Sequence, residues 1–569
     1  MLFTLTAQPR RESKKASASP SLFKDVAAET GLKFQHYNGM TGKFYLPEIM
    51  GSGAALFDFD NDGDLDVFLV QGGVLEPNTV PGNTLFPWRG SDPPRGKLFR
   101  NDLSVNKISF TDVTQQSGIL AGGYGMGAAT GDINNDGLPD LYLSNLGSNQ
   151  MYLNKGAGKF VDVTKESGTD DSRWSTSASF FDYDRDGWLD LMVVNYADFS
   201  ITNNPACYAA TTAKDYCTPR VFHAPGNRLF HNRGNGIFDD VTPAAGVARE
   251  FGHGLGIVTA DFNHDGWIDI YLANDGDPNQ LWTNQNNGTF INDALLAGCA
   301  VNRNGQAEAG MGIDAGDFDG NGTEDIFVTH LMEETNTLYV NLGQGLFEDR
   351  TRENSLGMPG RRFTGFGTSF FDYDNDGRLD LLVANGAVQL LPELVQQKNP
   401  FPLGQPNQLF RNTGKGSFVE TEAGPEFSLL EVSRGAAFGD IDNDGDTDVL
   451  VTNNNGPVRL FLNQVGNRNH WLGLRLVGKT GRDMLGAQVE ILVAENNILW
   501  RRARTDGSYL SANDPRVLAG LGSAARVKAV RVRWPDGAIE EWKDLRVDQY
   551  TTLKEGSSPA KTQARKARI

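Results

Sequence analysis

Short runs of alternating apolar and polar residues dominate this chain, and Gly, Asn or Asp interrupts each run. LYLSN (141–145) and IYLAN (270–274) alternate with period two, as antiparallel strands with one buried face do. Each such strand belongs to a larger unit. A Gly-rich stretch such as YGMGAATGD or FGTSFFD leads into a polar loop, and the first alternating strand follows. A second strand comes next: QMYLN, RLFHN, QLWTN, TLYVN or QLFRN. A Gly turn such as GAGK or GNGI then introduces a strand of the type F-x-D-V-T. No run approaches the ~18 apolar residues of a membrane span.

The polar loop obeys one pattern, D-x-[DN]-x-[DN]-G-x-x-D, seven times: at 58–66, 132–140, 182–190, 261–269, 317–325, 372–380 and 440–448. Seven units of four strands, roughly 64 residues each, predict an all-β seven-bladed β-propeller over residues 21–465. The seventh unit lacks its F-x-D-V-T strand, and SLFKDVAAETG (21–31) supplies one. Residues 21–26 are therefore expected to complete the last blade, which removes an open sheet edge. Residues 1–20 read as disordered, and so does a basic tail at 556–569. Between propeller and tail, residues 466–555 alternate over about 471–477, 487–493, 498–505, 527–534 and 538–542. This pattern fits a small β-sandwich or partly open barrel.

The loop chemistry points to calcium. Side chains at positions 1, 3 and 5 converge as the loop curls, the Gly at position 6 permits the turn, position 7 offers a carbonyl and position 9 a further carboxylate. The ligand sets are Asp58, Asp60, Asp62, Asp64 and Asp66; Asp132, Asn134, Asp136, Leu138 and Asp140; Asp182, Asp184, Asp186, Trp188 and Asp190; and Asp261, Asn263, Asp265, Trp267 and Asp269. The remaining sets are Asp317, Asp319, Asn321, Thr323 and Asp325; Asp372, Asp374, Asp376, Arg378 and Asp380; and Asp440, Asp442, Asp444, Asp446 and Asp448. Up to seven Ca²⁺ are expected. The three loops with Asn134, Asn263 or Asn321 have one carboxylate fewer and should bind more weakly. The alternative is an Asp/Gly turn held by its own Asx hydrogen bonds. Without a cation, though, the clustered carboxylates would repel one another.

These units resemble the FG-GAP or VCBS-type repeats of integrin-α-like propellers. NHWLGLRLVG (469–478), GAQVEILV (486–493), GSYLSANDPRVLAGLG (507–522) and VRVRWPDG (530–537) resemble the ASPIC/UnbV domain. Together they look like the cartilage acidic protein family and its bacterial relatives. The resemblance implies a secreted or surface calcium-binding protein with adhesion or interaction roles.

Charge sharpens this picture. The net charge of −19 argues against general nucleic-acid binding. Of the 71 acids, 25 sit at the loops' liganding positions, so the acidity is largely a count of metal ligands. Residues 466–569 hold 19 Lys and Arg against 11 Asp and Glu. That basic tail either docks on the acidic propeller or presents a solvated face. The opening MLFTLTA is a poor secretory signal. An extracellular or periplasmic location is still expected, because calcium is plentiful there. Cys207 and Cys217 form a disulfide in such a compartment or stay as two thiols.

Strand order puts the metal loops on one face and three long insertions, about 71–96, 196–227 and 386–407, on the other. Insertions gathered on one face of a repeat array often bind. The candidate ligand face comprises His36, Glu48, Arg173, Trp174, Arg249, His253, Arg361 and Arg362. A protein or glycan partner suits these residue types; the alternative is that they brace the loops and plug the channel mouth. The competing function is a calcium-dependent polysaccharide lyase or hydrolase on that face. No G-x-S-x-G, H-E-x-x-H or phosphate loop is present, and the chain has only seven His, so binding is favoured over catalysis.

Overall fold

Every Gly-rich lead-in becomes the first strand of a four-stranded antiparallel sheet, and every polar loop turns it into the second. The computed structural model describes residues 21–104, 107–209, 213–495 and 497–561, and it contains seven such sheets among them. Blade 1 consists of Ala54–Phe57, Asp66–Leu69, Lys97–Asn101 and Phe110–Asp112. Blades 2 to 6 begin at Tyr124–Gly131, Ser175–Phe181, Gly254–Ala260, Ile313–Gly316 and Gly365–Phe371. Blade 7 takes Ser433–Gly439, Asp448–Asn453 and Arg459–Asn463. Its fourth strand is Phe23–Asp25, with Phe23 opposite Asn463 and Asp25 opposite Phe461. First strands of successive blades touch in a closed cycle, with blade 7 against blade 1, so the sheets form a β-propeller.

Close approach at the centre explains the glycines that lead into these strands. A Cβ on Gly53 would lie 1.8 Å from the Leu510 carbonyl oxygen, and one on Gly312 would lie 1.9 Å from that of Phe366. Between blades, large side chains fill the gaps: Phe57, Phe68, Tyr152 and Phe160 pack between blades 1 and 2. These faces remove apolar area from water at roughly 25 cal/mol per Å².

The C-terminal part packs two sheets around their own core, which includes Leu474, Val489, Val532 and Trp534. One sheet pairs His470–Val477 with Val517–Gly522 and, in parallel, with Tyr550–Lys554. The other holds Gln488–Ala494, Asn497–Arg502, Ala529–Arg533, Ile539–Trp542 and Ala560–Lys561. The strands at 517–522 and 550–554 go beyond the sequence expectation. Both are short and flanked by loops, so their alternation is weak. The expected disordered tail at 556–569 is ordered to residue 561, because Ala560–Lys561 pairs with the strand at Ile539–Trp542. Residues 1–20 and 562–569 lie outside the described residues.

Residues 504–516 leave this sandwich and run along the propeller axis. Backbone N–H groups of Leu56, Ala128 and Ile313 donate to the carbonyls of Ala512, Leu510 and Ser508 at 2.9–3.1 Å. Thr259 N–H donates to Asp506, and Phe438 N–H donates to Asn513. Ser177 and Ser179 of blade 3 and Thr368 of blade 6 also hydrogen-bond to the segment. The innermost strand of every blade therefore bonds to one tail segment. Its tip, Tyr509, is fully buried; it donates to the Met50 carbonyl and meets Phe366 edge-on at 4.8 Å.

Candidate metal centres and the two faces

The seven loops share one geometry. The Gly at position 6 has φ between +84° and +96° in each, a conformation other residues rarely adopt. The position 1 carboxylate accepts the position 6 N–H, as Asp58 does from Gly63 and Asp440 from Gly445. Position 5 accepts the N–H of position 7 in every loop, for example Asp186 from Trp188 at 2.8 Å and Asn321 from Thr323 at 2.7 Å. Position 9 is buried and works twice. Asp66 accepts from Phe59 N–H with one oxygen and from Asn101 N–H with the other. Asp140, Asp190, Asp269, Asp325, Asp380 and Asp448 repeat that pair. Each oxygen keeps a second lone pair, except Asp190 Oδ1, which also pairs with His231 Nδ1.

Those Asx bonds do not use up the carboxylates. Buried oxygens without a hydrogen-bond partner include Oδ1 of Asp60, Asp182, Asp261, Asp374, Asp442 and Asp446, spread over five loops. Ligand atoms of Asp58, Asp60 and Asp62 lie within 4.8 Å of one another. So do those of Asp182, Asp184 and Asp190, of Asp317, Asp319 and Asp325, and of Asp372, Asp374 and Asp380. Burial and neighbouring carboxylates push Asp66 and Asp446 up to about 9 and Asp372 and Asp440 up to about 7. A hard dication wants such a set of anionic oxygens, and the residues present fit calcium. Asn134 and Asn263 turn their amide nitrogens toward Asp136 and Asp265, so each contributes an amide oxygen where other loops have a carboxylate.

Two sets of side chains tie the loops to each other. The Asn ending each third strand donates to the position 2 carbonyl of the preceding blade's loop. Asn101 reaches Ile441, Asn154 reaches Phe59, Asn232 reaches Ile133, Asn284 reaches Tyr183, Asn341 reaches Phe262, Asn412 reaches Phe318 and Asn463 reaches Tyr373, all at 2.7–3.0 Å. Position 4 reaches the following loop, as Asn61 to the Gly137 carbonyl and Asn375 to that of Gly445. The repeated terminal Asn of QMYLN and its kin was visible in the sequence, but its partner lies in another unit, so its role was not.

Tail arginines cover this loop face. Arg475 bonds Asn61, Arg516 bonds Asn443 and the Asp440 carbonyl, and Arg501 bonds the Gly377 carbonyl. Arg502 meets Glu324, and Arg504 meets the fully buried Asp314 at 2.7 Å. Tyr550 donates to Asp440 at 2.9 Å. A cavity of ≈ 380 Å³ remains between loops 1, 2 and the tail, lined in part by Arg475, Arg482, Arg516 and Leu485.

The opposite face is sealed by apolar side chains. Phe86 and Phe401 of two insertions meet edge-on, and Phe199, Tyr216, Phe222 and Leu403 join Tyr45, Trp174 and Tyr509 in one cluster. Cys207 and Cys217 are joined by a disulfide within the middle insertion. Arg434 is wholly buried and donates to the carbonyls of Ile49, Gly386, Ser433 and Ala387, pinning two of these segments.

The eight candidate ligand-face residues separate accordingly. His36, Glu48, Trp174 and His253 are buried. His36 accepts from Asn455 N–H, and burial followed by the Arg434 charge lowers it to about 3. Glu48 accepts from Tyr45 N–H and the Tyr216 hydroxyl, and burial raises it to about 8. His253 is held between Asp277 and the Phe222 carbonyl. Arg173 forks onto Asp171. Arg249, Arg361 and Arg362 are exposed, the last two paired with Glu333 and Glu420. Because the insertions close over the channel mouth, the residues nearest the axis became core.

Among the described residues, no helix is long and apolar enough to cross a membrane. Comparison with known proteins agrees with the architecture. An FG-GAP-like repeat model matches 58–143, 132–193, 221–272, 261–328, 317–383 and 402–451, and an ASPIC and UnbV model matches 478–560. Mouse cartilage acidic protein 1 is 30% identical over 180 residues, 30% of this chain and 27% of the mouse protein. The Xenopus tropicalis protein of that name is 23% identical over 316 residues, 55% of this chain and 38% of the frog protein. The chain thus spans well under half the length of these relatives. The BP39L lectin from Burkholderia pseudomallei aligns over 73% of this chain and 96% of its own, with 9% identity and a TM-score of 0.42. With the repeat model matching more than half of its length, this chain belongs to the FG-GAP-like repeat proteins that carry an ASPIC and UnbV domain.

Proposed function

We propose that this chain is an exported calcium-binding propeller that acts as an interaction protein. Calcium fills the loop ring and fixes the blades; the insertion face binds a protein or glycan. One observation carries the calcium reading: buried, unpartnered carboxylate oxygens recur in loops whose backbone is already satisfied. Leaving such groups without a partner costs about 1–3 kcal/mol each, and more when charged. A cation removes that cost.

Support for the binding face comes from what the insertions and blade links leave exposed. Leu85, Tyr208, Phe251, Met358 and Leu430 are all more than half exposed there, with Phe251 near Arg249 in sequence and Met358 near Arg361 and Arg362. Exposed apolar side chains interspersed with Arg suit a partner surface. Catalysis is disfavoured because His36 and His253 are buried, and both ring nitrogens of His253 are already bonded.

Elemental analysis and thermal melting with and without chelator test the calcium reading. Bound calcium and a raised melting temperature are expected; no metal and an unchanged melting temperature would sink it. If the protein turned over acidic polysaccharides and His253→Ala abolished that turnover, the non-enzymatic reading would fall.

A further inference from the structure

Loop 3 differs from the other six in the residue that faces it from the third strand. The position before the terminal Asn is Arg100, Leu153, His231, Thr283, Val340, Arg411 and Leu462 in blades 1 to 7. In blade 6, Arg411 lies 3.2 Å from Asp374 as a counter-charge. In blade 3 the same place holds an imidazole. His231 Nδ1 is 3.1 Å from Asp190 Oδ1 and 3.4 Å from Asp184 Oδ2. Ligand atoms of Asp184, Asp186 and His231 all lie within 4.8 Å of one another.

A separate observation points to an ion at this place. Asp182, only 4% exposed, has an Oδ1 with no hydrogen-bond partner, and its ligand atom clusters with those of Asp184 and Asp190. The His231 ring is held in place by Tyr183, which it meets at a steep angle with centroids 6.1 Å apart. About a quarter of its side chain is exposed, so an ion can reach it.

Calcium takes oxygen ligands, whereas imidazole beside carboxylates suits borderline transition metals such as zinc. An arginine at this position cannot ligate, and Leu, Thr and Val offer no nitrogen. We propose that loop 3 is a mixed nitrogen–oxygen site for a transition-metal dication of the zinc class. His231 supplies the nitrogen and Asp184 and Asp186 the oxygens grouped with it, while Asp182 joins through its own grouping with Asp184. This inference rests on reading the loops as cation sites, and the experiment separates the two claims.

Full-length protein stripped of metal is dialysed against excess Ca²⁺ with limiting Zn²⁺, or Co²⁺ as a spectroscopic substitute. One Zn²⁺ per chain should resist the calcium, and bound Co²⁺ should show a visible absorption band of nitrogen–oxygen ligation. His231→Leu, which copies blades 2 and 7, should weaken Zn²⁺ binding by at least about tenfold, a loss typical even of outer-shell partners. His231→Arg, which copies blades 1 and 6, should do the same, so a folding defect in one variant does not hide the result. Both variants should keep the calcium-dependent melting shift. Zn²⁺ displaced by calcium, or retained by both variants, would overturn the site. A calcium shift without Zn²⁺ retention defeats this inference alone. Zn²⁺ retention lost in both variants, without any calcium shift, upholds it and defeats the calcium reading.

Discussion

The two ends of the propeller are closed by opposite chemistry. At the loop face, carboxylates are spaced around a ring, bonded to backbone N–H groups and bridged by Asn clamps and tail arginines. At the insertion face, aromatic rings and aliphatic side chains close the mouth, and the few charged groups among them are buried. Burial of apolar surface needs no ion. In a ring of buried carboxylates, desolvation and mutual repulsion oppose the charge, and the calcium proposed above would offset both. On the calcium proposal, the same fold depends on an ion at one end and not at the other.

Chelation should separate the ends most strongly. Each site held at 100 times its Kd adds about 2.7 kcal/mol, so removing calcium should lower Tm by at least about 5 °C. Hydrogen exchange should rise first in the loops and their Asn clamps, while the strands beneath the insertions stay protected. Equal loss at both faces would break the comparison.

The axial segment joins the two ends, and its tip is the next largest lever. Tyr509→Ala should cost about 3–5 kcal/mol, as for other buried aromatics, measured by denaturant unfolding in saturating calcium. Tyr509→Phe keeps the ring and loses only its bond to the Met50 carbonyl, so it should cost about 1 kcal/mol.

Asn341→Ala removes three side-chain hydrogen bonds: two donated to the Phe262 and Glu324 carbonyls and one accepted from Gly343 N–H. It should cost about 1–3 kcal/mol. Arg362→Ala, on the exposed insertion face, should cost at most about 1 kcal/mol despite its ion pair. A reversed order would show that the loop ring is not stitched by its Asn residues.

A last lever, spread over several pH units, is the pH response at the insertion end. Glu48 ionises near 8 in the fold against 4.5 when free, because burial disfavours its charge. The folded state therefore holds a proton that the unfolded chain releases between those values. Its stabilisation is full below about 4.5 and declines as pH rises toward 8, by at most about 1.4 kcal/mol per pH unit. Glu48→Gln should flatten that slope with calcium held saturating. An unchanged slope would place the pH dependence elsewhere.

Much of the loop face was legible in the sequence because its rules are local. A curl of nine residues needs a Gly with positive φ at Gly63 and its six counterparts, and it needs acids at fixed offsets to satisfy the turn. The insertion face was read only as far as its location. His36, Glu48, Trp174 and His253 look like a ligand set when seen as residue types on blade links. Their burial follows from insertions that arrive from blades 1, 3 and 6 and meet over the axis. Nothing in the spacing of Phe86 and Phe401 shows that their rings touch.

Periodicity and turn chemistry act over a few residues, so they alone set the all-β repeat, the position of each nine-residue Asp/Gly loop and the strand at 23–25 that completes blade 7. Only the tertiary structure decided that GSYLSANDP runs through the middle of the ring. Those residues lack strand alternation, and their partners are innermost strands scattered from residue 54 to residue 438. Hydrogen bonds between positions hundreds of residues apart leave no local pattern; they exist only once seven sheets have closed around the segment.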